Sequence, residues 1–476
     1  MPYLTLPIKY LLLLLVLGLF SVRSQTTGFN PFSRYAFGEL APIGGSAQQA
    51  LAASGIALQT DTLPPTLVNM VNPAAWSDLR YTALDIGSDL QFQRIQQRSA
   101  LNDYSNVRFL NATLALPLKK HGGLVLGIMP YSQSGYNLTQ TLTAAAGTCT
   151  QNVQAFGGWN RAVLGFGLHP FPRRLLAFKY RNLYVPDSSK HHTGFAYAWR
   201  KTSVELLSQC SFGVQASWLF GTLDQISRFV YPNSNLYSNT LSRNALSVNG
   251  YLVQGGLQTG FTLDSSLFKT QRRPLQQPIR IGFGYTYQVP TPIHPVQELD
   301  VYSYILNGAG AETIRDTLSS TLQILPINAP LEQGFGLGIK RGEQWQWHAD
   351  VHSGDWSKIM NPTQNIAFEK SMRYATGIYY QPDKLAFGKG TYFKRVVYRA
   401  GLQYQTGPLR YQGTLVTDWN VNLGLSLPLA QNRLFNTANL SFRIGQNGIP
   451  GYQTTYVRIF LGCTFQDRWF LKYKYD

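Results

Sequence analysis

Apolar and polar residues change places at every second position through much of this chain. From Ile279 to Val289, Ile279, Ile281, Phe283, Tyr285, Tyr287 and Val289 share one side, while Arg280, Gly282, Gly284, Thr286 and Gln288 share the other. From Leu415 to Leu429 the pattern returns, with Trp419, Val421, Leu423, Leu425 and Leu427 set against Asp418, Asn420, Asn422, Gly424 and Ser426. Val396–Gln405, Ala438–Gly445 and Thr455–Phe465 repeat it. Period two is the mark of a β-strand with unlike faces. Segments of about 10 residues match a tilted strand crossing a hydrocarbon layer. Fainter copies run over 82–95, 107–117, 124–131, 162–168, 210–220, 248–263, 334–341, 345–356 and 374–381. Together they predict an all-β protein, a transmembrane antiparallel β-barrel of about 14 to 16 strands, apolar toward lipid and polar toward its lumen. The irregular pieces 141–158, 170–206, 223–244 and 294–329 read as extracellular loops.

The two ends of the chain agree with export to an outer membrane. Lys9 precedes an apolar run from Tyr10 to Phe20, and small residues follow at Ser21, Val22 and Ser24. This is the layout of a cleaved signal peptide over residues 1–24, with the mature chain starting near Gln25. The run is too short for a spanning helix. At the other end Trp469, Leu471, Tyr473 and Tyr475 alternate with Phe470, Lys472, Lys474 and Asp476. An aromatic amphipathic strand at the C-terminus is similar to the signal read by barrel-insertion machinery.

Composition sharpens the picture without changing it. The chain is 13% aromatic and 13% charged, with 43 Gly and 28 Tyr. A polar lumen and an apolar outside average to such values. The formal charge of +18 is spread along the sequence without a dense cluster. It points to outer-membrane lipid and lipopolysaccharide, or an anionic solute, as partner and not to nucleic acid. Cys149, Cys210 and Cys463 are too few for a disulfide framework or a zinc site, which leaves one Cys149–Cys210 bridge or three free thiols.

Residues 25–79 do not alternate. They are rich in Gly, Ala and Pro, and small residues pack closely in a confined space, so this segment is expected to plug the barrel formed by residues 80–476. Its end, Asn69-Met70-Val71-Asn72-Pro73-Ala74-Ala75-Trp76, leads into the first strand and resembles the Asn-Pro-Ala hatch motif of the FadL-like outer-membrane transport family. Leu325-Pro326, Gly334-Phe335-Gly336-Leu337-Gly338, Trp345, Asp350 and Asp355-Trp356-Ser357 resemble a second block of that family. The resemblance, to a distant branch, implies a 14-stranded barrel, an N-terminal hatch centred on Asn72, Pro73 and Ala74, and passive passage of hydrophobic or amphipathic molecules. An outer-membrane transport barrel is therefore the function expected; the alternative is a non-transporting barrel that serves as subunit or shuttle of an outer-membrane secretion, surface-attachment or barrel-assembly complex, with other outer-membrane proteins as partners.

Candidate chemistry is sparse. His348-Ala349-Asp350-Val351-His352 would bring two imidazoles onto one helix face, but the surrounding pattern is a strand, which sets them roughly 13 Å apart, too far to share an ion. His348, Asp350 and His352 therefore read as lumen wall, as do Arg280, Arg399, Arg443 and Arg458, any of which could hold the carboxylate of an amphipathic ligand. Gly334-x-Gly336-x-Gly338 lacks the Lys-Ser/Thr ending of a phosphate loop, and alternating glycines make room inside a lumen instead. No set of nucleophile, base and orienting group is found, so neither an enzyme nor a cofactor is expected.

Overall fold

The computed structural model describes residues 30–35, 37–58, 67–97, 100–118, 122–144, 147–171, 202–203, 205–231, 238–263, 279–307, 311–358, 367–384, 386, 390–411, 413–429 and 436–467. The expected signal sequence and the aromatic C-terminal stretch lie outside these residues. Fourteen strands make the wall: β1 (Thr82–Gln97), β2 (Ala100–Leu118), β3 (Gly122–Gln133), β4 (Gly147–Leu168), β5 (Ser211–Val230), β6 (Asn239–Leu263) and β7 (Ile279–Val289), then β8 (Leu331–Arg341), β9 (Trp345–Asp355), β10 (Lys370–Tyr380), β11 (Val397–Tyr411), β12 (Thr414–Pro428), β13 (Thr437–Ile449) and β14 (Tyr452–Asp467). Each pairs antiparallel with the next. β14 closes the ring on β1, in register from Tyr452↔Gln97 to Asp467↔Thr82. Closure leaves no strand edge in the wall, which is what a bilayer demands of a spanning sheet. Among the described residues no helix is long and apolar enough to cross a membrane.

The side chains are sorted the opposite way to those of a water-soluble protein. Leu402, Leu423 and Ile444 point outward and are 53%, 57% and 54% exposed, while Asn422, Ser426, Asn439 and Ser441 on neighbouring positions are buried. In β7 the inward residues Gly282, Gly284, Thr286 and Gln288 are buried and Phe283, Tyr287 and Val289 are exposed, as the alternation predicts. An outward apolar band around a polar interior is the arrangement of a barrel solvated by lipid.

Several strands are much longer than a membrane needs. β4, β5 and β6 have 22, 20 and 25 residues, against the roughly 10 that cross the hydrocarbon layer. Their surplus projects from the far end, the end away from Thr82 and Asp467. There the strand Tyr136–Ala144 pairs with β4, and the hairpin Val296–Leu306/Glu312–Ile324 pairs with β6. The segments 141–158, 223–244 and 294–329, expected as loops, are therefore largely β-structure. The segment 170–206 lies for the most part outside the described residues.

Candidate functional site: a plugged lumen

Before β1, the chain runs inside the wall from the far end to the terminal end. It starts with Asn30, whose N–H donates to the Gly135 carbonyl beyond β3. Glu39–Leu40 then pair with Gln133 and Ser132 of β3. The short helix Ser46–Gln49 and the following turn lie against β10 to β14, where Gly377, Gly401, Gly424 and Gly462 leave space for Leu51, Ala52, Ala50 and Ser46. Ile56 and Ala57 sit on the glycines of β7 and β8. The 3₁₀ helix Pro73–Asp78 sits on β3 to β6. Asp85 of β1 and Asn111 of β2 border Gly45, so the segment adjoins all fourteen strands.

The approach is too close for side chains on the wall. A Cβ on Gly284 would lie 2.2 Å from the Ile56 carbonyl oxygen, and one on Gly123 would lie 2.2 Å from that of Trp76. The alternating glycines of β8 do make room in the lumen, and a backbone fills the room.

Polar bonds fix this irregular backbone, because a buried segment without regular structure must satisfy its amides by side chains. Gln48, fully buried, donates to Asn69 Oδ1 at 3.0 Å and accepts from the Met70 N–H at 3.1 Å. Asn69 Nδ2 donates to the Gly55 carbonyl at 2.7 Å, and the Trp76 indole donates to the Asn69 carbonyl at 2.6 Å. Asn72 caps the 3₁₀ helix, its Oδ1 accepting from the Ala74 N–H at 3.0 Å, with Pro73 in the first helical turn. The Asn72 Nδ2 donates to the Ile56 carbonyl at 2.8 Å and to the Leu257 carbonyl of β6 at 3.2 Å. The Asn-Pro-Ala motif thus links two parts of the segment to the wall.

The wall residues singled out in the sequence meet the same segment. Asp350 of β9 accepts from the Gly55 and Ile56 N–H groups at 2.5 and 2.9 Å. Arg443 donates to Gln49 Oε1 and to Asn422 Oδ1, both at 2.7 Å, and Arg458 donates to Glu39 Oε1 at 2.6 Å. Arg399 instead starts a chain of hydrogen bonds through Ser426, Asn439 and Thr464 to Asp85, linking five strands across the β14–β1 closure. Arg280 lies at the terminal end opposite Lys340, apart from the others. His348 and His352 share the inward face of β9, a strand and not a helix, with His348 fully buried. Gln48, Glu39 and Asp85 were not singled out, and Asn69 entered only as the start of the Asn-Pro-Ala run. Their one signal was a polar side chain within or facing a run of small residues.

At the terminal end Ser77, Asp78 and His169 meet. His169 Nε2 lies 2.8 Å from Asp78 Oδ1 and 3.1 Å from Ser77 Oγ, and its Nδ1 faces the Cys210 carbonyl at 3.2 Å. Serine and carboxylate share one ring nitrogen, so the carboxylate does not orient a base toward the serine. Burial works against charging this imidazole, but the hydrogen bond and charge of Asp78 outweigh it and hold the pKa above the ordinary histidine value. The group latches the segment's end to the β4–β5 connection. The three cysteines are free, and Cys149 and Cys210 lie toward opposite ends of the barrel, which rules out the bridge between them.

On the far side of the segment a cavity of about 280 Å³ remains. Phe37, Trp356, Phe368 and Leu409 line it together with Glu39, Asp418, Arg443 and Arg458. Its polar wall is already bonded to the segment through Arg443 and Arg458.

The sequence profile of one protein family, described as BamG, matches residues 8–179 and 189–476. No curated protein sequence matches the chain. Among solved structures, the Pseudomonas putida toluene transporter TodX is similar at a TM-score of 0.52 and 12% identity, over 90% of this chain and 100% of that one. A Pseudomonas aeruginosa FadL homologue gives 0.52 and 10%, over 90% and 99%. The CymD monoaromatic hydrocarbon channel gives 0.50 and 12%, over 91% and 99%. At such identity the likeness is one of fold, and at that level the FadL-like resemblance holds. TodX is named as a toluene transporter and CymD as a monoaromatic hydrocarbon channel.

Proposed function

The chain belongs to the BamG family, and from that premise we propose that it is a plugged outer-membrane barrel working as a subunit of a complex, its family name pointing to barrel assembly. The observation that carries this reading is the seating of the N-terminal segment. It adjoins every wall strand and is bonded through Asp350, Arg443, Arg458 and Asn72. A lumen filled in this way suits a protein whose working surfaces lie outside the membrane, and the long strands β4 to β6 supply one at the far end. Residues 1–24 act as the export signal and the far end faces outward, as longer extracellular structure does in such barrels. Gentle solubilisation of the tagged chain followed by mass spectrometry tests this. Stoichiometric partner proteins are expected; a lone barrel with a recurrent bound hydrophobic solute would contradict it.

A second reading rests on the cavity beside the plug. Its aromatic wall and its arginines suit an amphipathic acid, and the fold is that of TodX and CymD. In this reading Asn72, Pro73 and Ala74 move as a hatch, and Arg443 or Arg458 exchanges its plug partner for a ligand carboxylate. Deleting residues 69–75 then changes uptake while the barrel stays folded. Unchanged uptake of every solute tested would end this reading.

A further inference from the structure

At the far end the surplus of β4, β5 and β6 forms an open sheet, with the strand Tyr136–Ala144 along one border and Glu312–Ile324 along the other. Among the described residues Glu312–Ile324 pairs with Val296–Leu306 alone. The backbone N–H and C=O groups on its other side therefore face no described strand.

The two borders are built differently. Tyr136–Ala144 has nine residues, mostly Asn, Thr and Gln, and of its large apolar side chains only Leu142 is exposed. Glu312–Ile324 has thirteen residues, and all are exposed. Ile314, Leu322 and Ile324 stand in register opposite Tyr304, Glu298 and Val296, so they share one face, at 59%, 70% and 62% exposure. The run from Thr317 to Ile324 holds no charge and no proline, and the whole strand holds no lysine. Lysine, proline and short length are the devices that keep an open edge from pairing, and a long apolar edge without them is a template for another strand.

We propose that Glu312–Ile324 takes up an extended segment of a partner protein as an added strand. Backbone bonds supply the hold, and Ile314, Leu322 and Ile324 receive apolar side chains at alternate positions of the incoming, uncharged segment. The proposal rests on the subunit reading and names the surface through which a partner is held. The chain has no spare segment of its own to line this edge. Its far-end stretches outside the described residues are 98–99, 145–146, 232–237, 308–310, 359–366 and 412, none longer than eight residues against a strand of thirteen. Removal of residues 1–24 leaves only 25–29 before Asn30. A second copy does not fit either. Two copies in one membrane point the same way, so the two-fold axis relating them runs along the barrel and nearly along the strands. Such an axis would pair the two edges parallel and turn one sheet over, which puts the apolar residues of the two copies on opposite faces.

The test follows amide hydrogen exchange across residues 312–324 of the full chain, first purified with its partner proteins by gentle solubilisation and then stripped of them by a harsher detergent. In the complex, the alternate amides that do not bond to Val296–Leu306 should exchange several-fold more slowly, and stripping should restore their rate. Leu322→Lys/Ile324→Lys should release the partner from a barrel that still migrates as folded. Leu142→Lys, the same change on the opposite border, should retain it. Edge amides as fast in the complex as in the stripped chain, or a partner retained by Leu322→Lys/Ile324→Lys, would overturn the proposal and leave the subunit reading standing. So would edge amides already slow in the stripped chain, or a companion that proves to be a second copy. A chain that purifies with no protein companion would end the subunit reading, and this proposal with it.

Discussion

The wall and the plug are built on opposite rules. In the wall, β-pairing satisfies the backbone and the side chains only sort themselves between lipid and lumen. In the plug the backbone is irregular, and individual side chains such as Gln48, Asn69, Asn72 and Asp350 satisfy it one amide at a time. The wall therefore tolerates many sequences that keep period two. The plug depends on particular residues, and on wall glycines that carry no side chain at all.

The comparison can be broken most severely at those glycines. Gly284→Val places atoms where the Ile56 carbonyl stands, so the wall should close while the plug is expelled, seen as protease cleavage in residues 45–58 of a barrel that still migrates as folded. Gly255→Ala, whose new Cβ has nothing nearer than 4.0 Å, should leave both intact. Next comes Asp350→Ala. It strands two buried N–H groups, and at about 1.5–3 kcal/mol for each bond to a charged group it should loosen the plug by roughly 3–6 kcal/mol. Hydrogen exchange at Gly55 and Ile56 should rise while the β9 amides stay protected.

An outward change should act the other way round. Leu423→Arg faces lipid and should destabilise the wall by about 2–4 kcal/mol near mid-membrane, measured by denaturant unfolding in vesicles, without first exposing the plug. The smallest effect belongs to the latch at His169. Its pKa is raised by Asp78, so its stabilisation is fully present below the unfolded histidine value and is lost as pH rises through the folded one. Exchange at Ser77 and Asp78 should be faster at alkaline than at mildly acidic pH, and His169→Gln should remove the difference.

How much of this was legible in the sequence follows from the same contrast. Alternation revealed β7 and β12 because their two faces meet different solvents. It faded where both faces meet water. In Glu312–Ile324 every residue is exposed, and that hairpin read as loop. The segment before β1 was visible as a break in period two, and its Asn-Pro-Ala motif marked Asn72, whose bonds to Ala74, Ile56 and Leu257 appear only in the structure. Asp350 was placed in the lumen wall, but its hold on Gly55 and Ile56 was not foreseeable, because 295 residues separate it from Gly55.

The central claim is that the protein works with its lumen shut, and a reversible lock tests it most directly. A Cβ on Gly338 would lie 3.5 Å from that of Ala57, within the range of about 3.5–4.5 Å that a disulfide needs. Ala57→Cys/Gly338→Cys, in a chain with Cys149, Cys210 and Cys463 changed to Ser, would tie the plug to β8. The oxidised protein is expected to keep its partner proteins and to support the cell as well as the reduced one. Loss of function on oxidation, restored by reductant, would mean that the plug must move, and would contradict it.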